Sequence, residues 1–170
     1  TIMTLFEMNE AQLGSFLFIL PISSLIGLPL SAWIVSKFDS RYLLFFGFLL
    51  FATALFGIGV SGQIEHLIFA VALFALGLRA INISMNTQAI QLQKLYKKKI
   101  NGKFHGFWSL GGLCGLIFAT LIINLKITIG YHLGLVAIVS IFVCFVAYFY
   151  LLRNDKESTG NKLQFGKPDN

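Results

Sequence analysis

Acid is missing from the greasiest parts of this chain. The seven carboxylates are Glu7, Glu10, Asp39, Glu65, Asp155, Glu157 and Asp169, and each falls in a polar connection or near an end, none inside an apolar run. Paired acids for general acid–base work are thereby excluded from the apolar segments, and no Ser or Cys has a base nearby. Cysteine is equally sparse: Cys114 and Cys144 both lie in apolar runs, without the paired spacings that ligate zinc or frame a disulfide network. They read as packing thiols. The expectation is no enzyme, no metal and no cofactor. The chain opens on Thr1 rather than Met, and no charged leader with a small-residue cleavage site precedes the first apolar run, so it reads as a fragment of something longer. Charge is scarce at 12% of residues against 56% hydrophobic, too apolar a balance for a soluble domain. The net charge of +6 does not indicate nucleic acid, because the basic residues sit in short connections between apolar runs. The partner those runs call for is a lipid bilayer.

What is present is a series of five apolar runs, at about 13–35, 42–60, 67–92, 105–125 and 131–152, each long enough to cross a bilayer as a helix. The fold class expected is an all-α membrane protein with five transmembrane helices over residues 1–152. Residues 153–170, polar and containing Gly and Pro, read as a linker. Residues 1–12 read as a short solvated lead-in. Pro21 and Pro29 interrupt the first run, which is tolerated where neighbours or water satisfy the freed carbonyls, and Gly27 offers another helix a close approach. Counting Lys and Arg on alternate sides sets eleven of the thirteen on one side, Lys126 alone on the other, and Arg79 in between. The positive-inside rule places the basic side in the cytoplasm of a cell membrane. The densest basic run, Lys94 to Lys103, reads as a topology determinant.

The third run is the one the rest is organised around. It is apolar in its outer half and polar in its inner half, and Arg79 falls near the middle of a helix of about 40 Å. Stepping 100° per residue from Arg79 puts Asn82 at about 300°, Asn86 at about 340° and Gln93 at about 320°, so the four share an arc of roughly 60°. Ser84, Gln88 and Gln91 point the other way. A polar stripe inside a spanning helix faces a bundle interior or a wet cavity, because lipid contact costs several kcal/mol. Each amide alone reads equally well as glue between helices. The intramembrane Arg with amides on its face moves the balance to a pathway for a polar solute. His105 beside Trp108, like Trp33, reads as an interfacial anchor rather than a proton relay, and Gly111 and Gly115 as a close-packing signal. Asn82-Ile83-Ser84 matches a glycosylation sequon but lies inside a span and is discarded.

From Gly77 to Gly115 the chain carries Met85-Asn86 in the third run, Phe104-His105 at the start of the fourth, and then Ser109-Leu110-Gly111-Gly112. In that pattern it resembles the fourth and fifth spans of the major facilitator superfamily, closest to a bacterial group of sugar-permease-like transporters. A second likeness lies in Ala32 to Arg41, AWIVSKFDSR, where Lys37, Phe38 and Arg41 keep the family's loop after its second span. Ala32 replaces a Gly, Ser36 replaces an Asp and Asp39 replaces a second Gly. The family associates this loop with latching its two halves on the cytoplasmic side, so Ser36, Lys37, Asp39 and Arg41 are the expected gating residues, with Asp39 at a shifted offset.

The resemblance implies that the five runs are spans two to six of a twelve-span carrier, part of its N-terminal six-helix half, with the first span and the C-terminal half lying elsewhere in the same protein. It implies secondary active transport of a small polar solute by alternating access, with Arg79, Asn82, Asn86 and Gln93 along the pathway. Related sequences often have Asp where this one has Asn82, and an amide cannot take up a proton there, so coupling rests on chain outside these runs or on something other than protons. The counter-charge of Arg79 is expected to be an acid in the absent spans or an anionic group on the solute. The competing expectation is a small multi-pass scaffold whose polar stripe is an interface.

Overall fold

A computed structural model of the chain describes residues 6–96 and 100–153. These form six helices and, among the described residues, no strand: α1 (Glu10–Leu17), α2 (Ile19–Lys37), α3 (Ser40–Val60), α4 (Ile64–Tyr96), α5 (Asn101–Asn124) and α6 (Ile129–Tyr148). Since α1 and α2 run on as one apolar rod, Glu10–Lys37, five helices are long and apolar enough to cross a membrane. The expected linker beyond 153 and the centre of the basic run, Lys97 to Lys99, lie outside the described residues.

The first span starts earlier than its apolar run. Asn9 accepts from the Gln12 N–H at 2.8 Å while the Gln12 side chain accepts from the Asn9 N–H at 2.9 Å, a reciprocal cap that starts the helix at Glu10. The lead-in is anchored too, since Met8 is buried with Phe16, Leu67 and Val71. The rod breaks at Phe18, three residues before Pro21. Proline at that position offers Leu17 no N–H and sets its ring against the Leu17 carbonyl. The Phe18 N–H turns back to the carbonyls of Gly14 and Ser15, both at 3.2 Å. Pro29, by contrast, lies inside a continuous α2. At the far end α6 stops at Tyr148, short of the expected 152, because the Tyr150 N–H turns back three residues to Ala147 and the Leu152 backbone is held by another helix.

Helix α4 is the hub, with α3 packed along it, α2 on it as well, and α6 packed on α3. Backbone proximity explains the first contact. A Cβ on Gly77 would stand 2.8 Å from the Phe51 nitrogen and 3.1 Å from the Gly47 carbonyl oxygen, so α3 and α4 touch main chain to main chain at a Gly-to-Gly crossing. Around it Ala52, Leu55 and Ala137 form one buried cluster and Val35, Leu43 and Ala80 another. The outward faces carry large apolar side chains, Leu25, Phe46, Phe69 and Phe142 among them, as lipid contact requires.

Helix α5 differs. It is exposed along nearly its whole length, and a Cβ on any of Gly102, Gly106, Gly111, Gly112 or Gly115 would meet nothing within 4 Å. The close packing expected at Gly111 and Gly115 is absent among the described residues, because no helix is laid against that side. Its contacts include Phe118, whose ring stands edge-on to His132 of α6 at 5.4 Å between centroids.

Candidate functional site

The polar residues of α4 separate into a central seam and an inner clamp. Arg79 lies at the middle of the helix, with fifteen residues before it and seventeen after. Gly27 of α2 faces it: a Cβ there would stand 3.3 Å from the Arg79 Cβ and Cγ, so the missing side chain makes room for the arginine stem. Helical side chains lean toward the N-terminus. The guanidinium accordingly reaches back to Ser24, one turn before Gly27, donating from Nε at 2.9 Å and also from Nη2 to the same hydroxyl oxygen. Sequence reading missed Ser24. The signal that pointed to it was Gly27 in an antecedent span, since a close approach there fixes which residue meets the arginine head.

Asn82 and Asn86 follow on the same face, as the 100° count predicts, and bond to each other: the Asn86 Nδ2 donates to the Asn82 Oδ1 at 2.9 Å. Arg79 and Asn82 border a cavity of about 360 Å³ between α2 and α4, shared with Ser24, Pro21 and Phe74. Asn82 also borders a second cavity of about 390 Å³, lined by Asn86, by Phe104, His105 and Trp108 of α5, and by Cys144 of α6. Asn82 is thus common to the walls of both cavities. Among the described residues no carboxylate pairs with Arg79; the ion pair they form is at the inner end, Asp39 to Arg41.

Gln93 is placed differently from the other three. Its Oε1 accepts from the Ile100 N–H at 3.1 Å in the connection to α5, and it borders neither cavity. His105 and Trp108, read as interfacial anchors, stand on the wall of the second cavity.

The inner clamp is built on Gln88, which the 100° count turns away from Arg79 but which also borders the second cavity. Its side chain is buried and meets two elements at once, donating to the Ser40 hydroxyl at 2.8 Å and to the Leu152 carbonyl at 3.1 Å, and accepting from the Leu152 N–H at 2.8 Å. It fastens the start of α3 and the chain just beyond α6 onto α4. Beside it Arg41 lies 3.5 Å from the Asp39 carboxylate, donates to the Tyr42 hydroxyl at 2.9 Å, and sits over the rings of Tyr42 and Tyr148 at 4.7 and 5.7 Å. Of the four loop residues, the structure joins Asp39 and Arg41. Ser36 bonds back to the Trp33 carbonyl at 2.7 Å, and Lys37 ends α2, exposed, where its charge favours the helix C-terminus.

A bundle of apolar spanning helices with a half-buried cation and an amide seam at its centre belongs to the class of polytopic membrane proteins. The particular family follows from comparison: residues 1–169 match the Major Facilitator Superfamily, and the chain belongs to that family of secondary transporters. It is similar, at 24% identity over 108 residues, to an uncharacterized MFS-type transporter of Yersinia pestis, the match covering 64% of this chain and 28% of that protein's length. No solved structure matches the chain. Family membership does not favour the scaffold alternative.

Proposed function

We propose that the chain supplies spans two to six of a longer carrier that moves a small polar solute across a cell membrane by alternating access, with its basic loops in the cytoplasm. The observation that carries this reading is the seam itself: Arg79, Asn82 and Asn86 stand in line at the centre of α4 and border two cavities at a depth where isolated polar groups are disfavoured. Helix α5 supports it, because its bare glycine face leaves room for the first span or the second half of the bundle. The Gln88 clamp and the Asp39–Arg41 pair support a rigid inner end about which one half rocks against the other. Coupling to protons requires an acid outside these spans, since the described carboxylates all lie at helix ends or before them.

The test is uptake by the full-length protein in proteoliposomes, using radiolabelled neutral and acidic sugars. Asn82→Leu is expected to lower uptake of the accepted solute about tenfold or more, equivalent to losing a hydrogen-bonded contact worth ~1.4 kcal/mol, with the protein still folded. Wild-type uptake in both Asn82→Leu and Asn86→Leu overturns the assignment of the seam.

A further inference from the structure

We infer that the cavity between α2 and α4 is a receptor for a single carboxylate, so that the transported solute is a small monoanion such as a hydroxy acid or sugar acid rather than a neutral sugar; this rests on the carrier reading above. Hydrogen-bonding capacity around the cavity is one-sided. A guanidinium has five N–H donors and no acceptor. Two are directed at the Ser24 oxygen, which leaves three. The Ser24 oxygen is occupied by those bonds, which leaves its O–H to donate. The Asn82 Oδ1 accepts one bond from Asn86, which leaves it a single lone pair beside the two donors of the Asn82 NH2. The polar capacity left over around this cavity is therefore nearly all donor, and the rest of the wall is apolar, with Leu20, Pro21, Phe74 and Leu78. A neutral polyol brings an O–H donor with each oxygen, and most of those donors find no acceptor in such a set. A carboxylate brings acceptors alone, and its two oxygens suit the fork of an arginine.

The charge fits one anion of one unit. Among the described residues Arg79 is the one cation that borders this cavity. A doubly charged phosphate calls for a second cation that the described wall does not hold. Among the described residues the group against the guanidinium is a hydroxyl and not an acid, which favours the solute as the source of the counter-charge. With Ser24 rather than an acid against the guanidinium, Arg79 presents its remaining donors to the solute.

The test reads charge preference without needing the solute. In the full-length protein freed of cysteine and carrying Leu78→Cys on the cavity wall, the thiol is labelled by an anionic sulfonatoethyl and by a cationic trimethylammonium-ethyl methanethiosulfonate, each rate divided by that for a free thiol in solution. The receptor predicts that the anionic reagent is favoured about tenfold, that Arg79→Lys keeps the preference, and that Arg79→Gln abolishes it. Ser24→Asp provides a second variant should Arg79→Gln fail to fold; by matching the guanidinium internally it removes the preference as well. Equal rates for the two reagents in the parent, or a preference that survives both Arg79→Gln and Ser24→Asp, overturn the inference and leave the carrier reading standing. Failure of both reagents to reach Leu78→Cys shows a dry cavity and overturns the carrier reading and the receptor together.

Discussion

Helices α4 and α5 look alike as sequence and live in opposite surroundings. Both are long enough and apolar enough to span a bilayer, yet 44% of the most apolar stretch of α4 is buried inside the protein against 6% of that of α5. Glycine shows why. Gly77 lies against the main chain of α3, where no Cβ fits, while Gly111 and Gly115 face open space. The difference teaches that small residues in a spanning helix announce that a backbone can come close, and say nothing about whether the partner belongs to the same few helices. Within residues 6–96 and 100–153 nothing is laid against the glycine face of α5.

That contrast can be broken by filling the glycines. Gly77→Leu is expected to do the most damage, at about 3 kcal/mol or more, because the new side chain starts within backbone contact of Phe51 and the two helices must separate. Unfolding of the full-length protein in mixed micelles with SDS measures it, and a loss under about 1 kcal/mol shows the α3–α4 crossing to be wrong. The next largest effect tests the hub from its inner end. Gln88→Leu removes the bonds to Ser40 and Leu152, leaving a buried hydroxyl and the Leu152 backbone without this partner, at about 2 kcal/mol in the same titration. The smallest sharpens the account of α5: with a further span seated on its glycine face, Gly115→Leu costs the full-length protein about 1 kcal/mol by overpacking. No change in the SDS midpoint shows that this face looks onto lipid.

Much of this could be read from residue order. The five spans were legible because apolar runs of bilayer length separated by polar connections admit no other arrangement, and the sidedness count depended on getting all five. The face shared by Arg79, Asn82 and Asn86 was legible because the helix repeat is fixed by backbone geometry. Gln93 shows the limit of that reasoning. It has the right angle but lies beyond the seam, where its Oε1 accepts from the Ile100 N–H. Gln88 shows the converse, since an angle that excludes a residue from one face does not say that the other face holds two chain ends needing a clamp.

Residue order alone determined that the chain is an all-α membrane protein, that five runs are long and apolar enough to cross, and that one charge lies within such a run with no acid in any of the five, because the bilayer imposes length, hydrogen-bond closure and electrostatic cost on any such sequence. The tertiary structure alone decided what that charge touches. Arg79 meets Ser24 because Gly27 lets α2 approach its stem, and more than fifty positions of chain separate the hydroxyl from the guanidinium. A periodicity measured along one helix carries no information about which residue of another stands opposite, since that is fixed by the packing of the two backbones.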